Sequence, residues 1–437
     1  MNIPQFLLLA GLVGSARSAQ SQEPATWTSP IEGDTSLQAL IAQALQRNPS
    51  IAQRQAAVRA ATLRIRPAGT LPDPMLTLGV MNLVPKFGFS FNRSDFTEAD
   101  VELMQEIPWP GTLGARAGVA RAASAGARAD EAAVRRELTA AMAAAYYRLR
   151  YAVTALRTVR RQRELLEAAV QLSTTRYATG AAPQSDPLQA KLARDRLQSE
   201  AFALESELTA SLAAVNALRN RAPGDTVPVT PLGLAAVRAA VAPLPPSDSL
   251  IAAALTAHPR LAARRAVLEQ ATRTIRVERL SARPDFTLGV RYGYRPAFLG
   301  EFNLPDFFSA FVGLRLPIWA WRKQNRLADA ARADSTGAAA ELRDVELQLS
   351  REVTETAARV QAAQQRLVLL VDGVLPTARG TVESVLRTYQ VGRTEFLTLL
   401  SVEDARYRAE LEAAAVAADY QALLVMLRQL TAGESQP

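Results

Sequence analysis

The residue types that most often carry catalysis are scarce in this chain. It has one histidine, His258, no cysteine, and six methionines scattered along its length. His258 sits in HPR (His258 to Arg260), where a helix boundary explains it better than a general base does. Without cysteine there is no disulfide, thiolate metal site, thiol nucleophile or lipidated N-terminal cysteine, and the usual ligand logic assembles no metal site and no bound cofactor. The glycine-rich GTLGARAG (Gly111 to Gly118) lacks the Lys-Ser/Thr of a phosphate loop and reads as a flexible lead-in to a helix. One cluster remains. Glu98, Asp100, Glu102 and Glu106 fall on alternate positions, so they would share one face of a strand. Arg291, Arg295 and Arg315 are spaced in the same way farther along. Such a face could line a wet lumen and favour cations, although the arginines argue against a strongly selective filter.

The elements that would position these residues follow from composition and repeats. Of 437 residues, 49% are apolar and 21% charged, too apolar for disorder. The net charge of +8 comes almost wholly from arginine and is spread along helical stretches such as RTVRRQR (Arg157 to Arg163), a solvated face and not a nucleic-acid surface. The N-terminus carries a short apolar run, Phe6 to Val13, then small residues, with Ala16 and Ser18 fitting cleavage after residue 18. Residues 1–18 therefore read as an export signal and 19–35 as an N-terminal extension. Nothing reaches the ~20 apolar residues of a membrane helix, so a membrane segment would have to be β-barrel.

The rest of the chain is one unit written twice. Asn48-Pro49 and His258-Pro259 each open a helix, and PMLTLGV (Pro74 to Val80) and PDFTLGV (Pro284 to Val290) follow at the same interval. EIPWPG (Glu106 to Gly111) and RLPIWAW (Arg315 to Trp321) each precede a very long helical run. The runs close on RYATG (Arg176 to Gly180) and TYQVG (Thr388 to Gly392), and a return helix follows each. The repeats span 36–220 and 248–432, joined by a Pro-rich connector at 221–247, with a tail at 433–437. Strands are expected near 74–84, 96–107, 284–296 and 307–317, and long hairpins near 112–220 and 322–430.

The long runs step by four and three: Leu138, Met142, Ala145, Leu149, Ala152, Leu156 and Val159, then Leu349, Val353, Thr356, Val360, Ala363, Leu367, Leu370 and Val374. That is a coiled-coil seam on rods of about 65 residues, or ~100 Å. In the strands, Leu76, Leu78 and Val80, or Phe286, Leu288 and Val290, face opposite to small or polar neighbours. A soluble sheet with one buried face would show the same alternation. A membrane barrel needs about eight strands or more, so four strands in lipid would require several chains to share one barrel.

The ordered set PDPMLTLG, QEIPWPG, RYATG with SDPLQAK, and TYQVGRTEFLTLL resembles the outer-membrane factors of tripartite efflux pumps, the TolC family. The resemblance runs from about Leu37 to Leu430 and is closest to members associated with heavy-metal pumps. It implies a mainly α fold with a small membrane β-barrel part: a homotrimer whose long helices form an α-barrel below a shared twelve-stranded β-barrel. It also implies an outer membrane location, a periplasmic adaptor and an inner-membrane transporter as partners, and passive conduction of cargo, with heavy-metal ions the cargo that the resemblance favours. Arg176, Tyr177, Gly180, Tyr389, Gly392, Arg393 and Thr394 would then form the adaptor-docking tips. Where relatives carry aspartate rings, this sequence has Thr398 and Ser401, with Glu395 and Glu403 nearby. The alternative is a soluble periplasmic coiled-coil adaptor or scaffold, but such adaptors carry a single helical hairpin between β-rich domains.

Overall fold

The computed structural model describes residues 30–81, 97–295 and 305–431. The expected signal, most of the N-terminal extension, strand ends at 82–84, 96 and 296, and the tail lie outside the described residues. The first repeat opens with α1 (Pro30–Gly33), α2 (Thr35–Arg47), α3 (Pro49–Leu63) and α4 (Ile65–Ala68). It continues with β1 (Met75–Met81), β2 (Glu98–Ile107), α5 (Thr112–Ala178) and α6 (Ser185–Leu218). Inside the Pro-rich connector lies one short helix, α7 (Leu234–Ala239). The second repeat holds α8 (Ser247–Ala257), α9 (Pro259–Leu280), β3 (Asp285–Tyr294) and β4 (Phe307–Arg315). It ends in α10 (Gln324–Leu369), α11 (Leu375–Gln390) and α12 (Phe396–Thr431).

The X-Pro boundaries are N-caps. The Asn48 side chain accepts from the Ser50 N–H at 2.9 Å, and His258 Nδ1 accepts from the Arg260 N–H at 3.2 Å. Each proline then takes the first helical position, where no N–H is needed. Three helix C-termini, the two hairpin tips and the end of α6, are also alike. The N–H of Gly180 donates to the Tyr177 carbonyl and that of Ala181 to the Arg176 carbonyl; Gly392 and Arg393 bond in the same way to Tyr389 and Thr388. Asn220 and Arg221 repeat the pattern at the end of α6. These are Schellman caps, and they require a left-handed residue: Gly180 and Gly392 at φ 74° and Asn220 at φ 52°.

The helices pack as two hairpins side by side, α5 on α6 and α12 on α10 and α11, joined where α5 lies along α12. Nearer the sheet, α9 lies between α5 and α10. The expected seam residues are buried in the first rod, except that Ala145 is only half-buried. The glycine-rich segment is not a flexible lead-in: α5 is helical from Thr112, and only Gly111, at φ 90°, is irregular. A Cβ on Gly118 would stand 2.9 Å from the Arg273 guanidinium of α9, and one on Gly126 3.5 Å from Ala266, so these glycines serve close helix packing.

The second rod departs from the expected continuous seam. Val374 is 37% exposed, and Leu375, 3% exposed, takes its place. The cause is Pro376, which has no N–H for the Asp372 carbonyl four residues back and whose ring crowds it. The helix absorbs the defect as a π turn over Leu370–Val374, in which the Leu375 N–H reaches the Leu370 carbonyl. One extra residue in a turn shifts the buried face by about 100°.

His258 is buried, and its pKa is pushed down to about 4 from 6.5 by burial and by the nearby Arg136 and Arg260 guanidinium groups. The unfolded chain takes up a proton near 6.5 that the folded chain refuses until about 4. The stability contributed by neutral His258 is thus complete above the higher value and is lost as pH falls toward the lower one. His258→Asn keeps the cap and removes the titration. It is expected to melt like the wild type near neutral pH and above it at about pH 5. His258→Ala should cost about 1 kcal/mol at either pH.

Candidate functional site: the charged sheet face and the hairpin tips

The four strands form one antiparallel sheet in the order β1-β2-β3-β4, with β1 and β4 at open edges. Each repeat contributes one pair, and the β2–β3 ladder joins the halves from Ala99↔Tyr294 to Ile107↔Phe286. The strands are shorter than expected at several ends. β4 stops at Arg315 because Pro317 has no donor to continue the ladder. One face is apolar and open to the surroundings, with Leu76, Leu78, Val101, Leu103, Leu288, Val290, Val312 and Leu314 all exposed.

The other face gathers the predicted charges. Arg291 Nη2 donates to Glu98 Oε1 at 2.8 Å, and its Nε lies 3.2 Å from Asp100 Oδ2. Arg295 reaches Glu98 Oε2 at 3.5 Å. Farther along, Arg315 grips Glu106 with two bonds of 2.6 and 3.2 Å. Glu98 and Asp100 are buried under these arginines. Glu102 stands directly across from Arg291 in register, without an ion pair among the described residues. The acidic row of β2 is therefore largely neutralised by arginines at β3 and β4.

Two residues that the sequence reading missed complete this face. Phe307 and Phe311 point to the charged side and lie flat over glycines of β3. A Cβ on Gly293 would meet the Phe307 ring at 2.1 Å, and one on Gly289 the Phe311 ring at 2.1 Å. The Arg291 and Arg295 guanidinium groups sit 5.7 and 4.7 Å from the Phe307 centroid. The available signal was the matched spacing of four, Gly289 and Gly293 against Phe307 and Phe311, read through the antiparallel register.

At the far end of the rods the two tips touch. The Arg176 guanidinium lies 5.0 Å over the Tyr389 ring, and Tyr389 packs 5.8 Å from Phe396. Tyr389 is buried with Val170, Ala190 and Phe396, so it builds the tip from within. Tyr177, Gly180, Gly392 and Arg393 are exposed, while Arg176 and Thr394 are half-buried. Glu395, just before α12, and Thr398 and Ser401 on its first turns are exposed, and Ser401 donates to the Thr398 carbonyl at 2.8 Å. Glu403 is engaged: Arg406 donates to it at 2.8 Å and also to Gln162 of α5 at 3.0 Å.

A duplicated strand-pair and rod is matched along both copies by the family model described as outer membrane efflux protein, over residues 40–221 and 250–433. The chain belongs to the outer membrane efflux protein family. Its fold is similar to the outer-membrane channel OprN, at 20% identity and a TM-score of 0.77, over 93% of this chain and 92% of that one. VceC of Vibrio cholerae is also 20% identical, with a TM-score of 0.73 over 92% and 97% of the two chains. CusC is 17% identical, with a TM-score of 0.77 over 92% of each. No curated protein sequence matches the chain.

Family membership makes this efflux protein a channel and not an enzyme. Its mainly helical, duplicated fold is that of the channels it resembles. Among the described residues no three His, Cys, Asp or Glu side chains gather as a metal site. No described helix is long and apolar enough to cross a membrane.

The two ion-pair groups of the sheet face differ in burial, which predicts different costs. Glu98→Gln leaves Arg291 and Arg295 short of a buried partner and is expected to cost roughly 3 kcal/mol. Arg315→Gln breaks an exposed pair and should cost under about 1 kcal/mol. Thermal melting of the two purified variants checks the order.

Proposed function

We propose that the protein is the outer-membrane exit duct of a tripartite efflux pump, working as a homotrimer with a periplasmic adaptor and an inner-membrane transporter. The observation that carries this reading is the sheet. It has two unpaired edges, an exposed apolar face and a charged opposite face. An open edge leaves backbone groups unsatisfied in lipid. Three copies joined edge to edge give twelve strands and no edge, with lipid outside and the Glu98, Asp100, Glu102, Glu106, Arg291, Arg295 and Arg315 face lining the lumen. A soluble adaptor or scaffold is disfavoured because it would leave this apolar face in water.

In this reading the rods form the periplasmic tube, and the tips around Gly180 and Gly392 dock the adaptor through Tyr177, Arg393 and their neighbours. Tyr389 and Arg176 hold the two tips together beneath that surface. The aperture is set by the first turns of α12, where Thr398 and Ser401 are neutral and Glu403 is already paired. Glu395 is exposed at this level, as is Asp404, which Arg408 holds at 2.8 Å. Heavy-metal ions are the proposed cargo, supported by the PDPMLTLG and QEIPWPG wording. The paired lumen charges favour passage of hydrated ions without selective binding.

Val312→Arg places a cation in mid-strand on the lipid face. It is expected to cost about 2–4 kcal/mol and to abolish the heat-resistant trimer in outer-membrane extracts, whereas the same change at Thr287, on the charged face across from Glu106, should be tolerated. A wild-type monomer found in the soluble periplasmic fraction would overturn the channel. Tyr177→Glu combined with Arg393→Glu should leave the trimer intact but abolish cross-linking to the adaptor. Deletion of the gene is expected to raise sensitivity to heavy-metal salts more than to organic toxins; the reverse would remove the metal cargo.

A further inference from the structure

Between β4 and α10 the chain runs Leu316-Pro317-Ile318-Trp319-Ala320-Trp321-Arg322-Lys323. Pro317 ends the ladder and the backbone folds into tight turns. The Ala320 N–H donates to the Pro317 carbonyl at 2.9 Å, and the N–H groups of Arg322 and Lys323 both donate to the Trp319 carbonyl at 3.0 Å. This fixed turn holds its large apolar side chains outward: Ile318 is 69% exposed, Trp319 61% and Trp321 58%.

The first repeat uses the same position differently. Its single tryptophan, Trp109, is half-buried and stacks on Phe286 at 6.0 Å, and its backbone N–H donates to Asp285 Oδ1 at 2.9 Å. The base of the sheet is thus closed by the first copy. Among the described residues the two tryptophans of the second copy have no ring contact of that kind. Beside them, the Arg322 guanidinium lies 4.3 Å over the Trp321 ring, with Lys323 next in the chain. Neither cation has a carboxylate partner among the described residues.

We propose that this turn is a membrane-interface anchor that binds anionic phospholipid headgroups of the periplasmic leaflet. The inference rests on the barrel reading above. The turn follows the end of the sheet from which both rods depart, and the exposed Val312, Leu314 and Leu316 lead directly into it. The apolar band therefore ends where the indoles begin. An indole is apolar in body with a polar N–H, and settles where acyl chains meet headgroups. A guanidinium lying over such a ring keeps its N–H edge free for a phosphate, and Lys323 adds a second positive charge at the same level.

The test uses the full chain reconstituted in vesicles, in a Trp27→Phe/Trp109→Phe background in which Trp319 and Trp321 report. Bromines near the lipid headgroup are expected to quench this fluorescence more than bromines deep in the acyl chains. At equal mole fraction, brominated phosphatidylglycerol should associate roughly fivefold better than brominated phosphatidylethanolamine at low salt. Arg322→Gln/Lys323→Gln should abolish that preference while quenching persists. Absence of quenching, as when a neighbouring copy covers the indoles, overturns the anchor, and so does equal quenching by the two lipids. A single tryptophan placed by Val312→Trp in a tryptophan-free background separates the two readings. If it is quenched by deep bromines while Trp319 and Trp321 are not, the anchor fails and the barrel stands. If neither is quenched, both fail.

Discussion

A backbone ladder that cannot end in lipid is the constraint on which the rest of this molecule depends. The β2–β3 pairing joins two copies of one unit into a single sheet, but the sheet still ends at β1 and β4. In water those edges and the apolar face would be aggregation hazards. In the proposed channel, lipid on one side and neighbouring copies at the edges turn them into the means of assembly. The charged face is then wet and internal, and its arginines and carboxylates come from different repeats, so neither copy makes a balanced wall alone.

In the same proposal the rods answer a second requirement, to carry a wet interior through a distance no compact domain spans. Their packing depends on small residues: alanines along the seams, and Gly118 and Gly126 where α5 meets α9. Close approach of backbones leaves little room for error in side-chain size. The caps are equally economical. A left-handed glycine at each tip satisfies two carbonyls and turns the chain, and the same geometry recurs at Asn220.

Much of this was legible in the sequence because the repeat doubles every signal. His258 could be read as the counterpart of Asn48 before its Nδ1 was seen to accept from Arg260. The period of two placed Glu98 and Arg291 on strands, but not that they would meet, since partnership across β2 and β3 depends on register. Phe307 and Phe311 were missed for the same reason: an aromatic on a polar face makes sense only once the glycine opposite is known. Tyr389 was read as an adaptor-docking residue and lies buried beside the turn, because a linear sequence does not say whether an aromatic there points outward or inward. Val374 was misplaced by carrying the heptad through Pro376, where hydrogen-bond geometry overrides periodicity.

That π turn has a consequence for symmetry. The first rod runs from Thr112 to Ala178 without interruption, while the second carries, above its tip, an angular offset of about 100° that the first lacks. Two tips built by the same cap are therefore presented at different azimuths. A ring of three such chains would show six chemically similar tips with threefold and not sixfold equivalence. A partner engaging every tip must either make two kinds of contact or bring two kinds of surface.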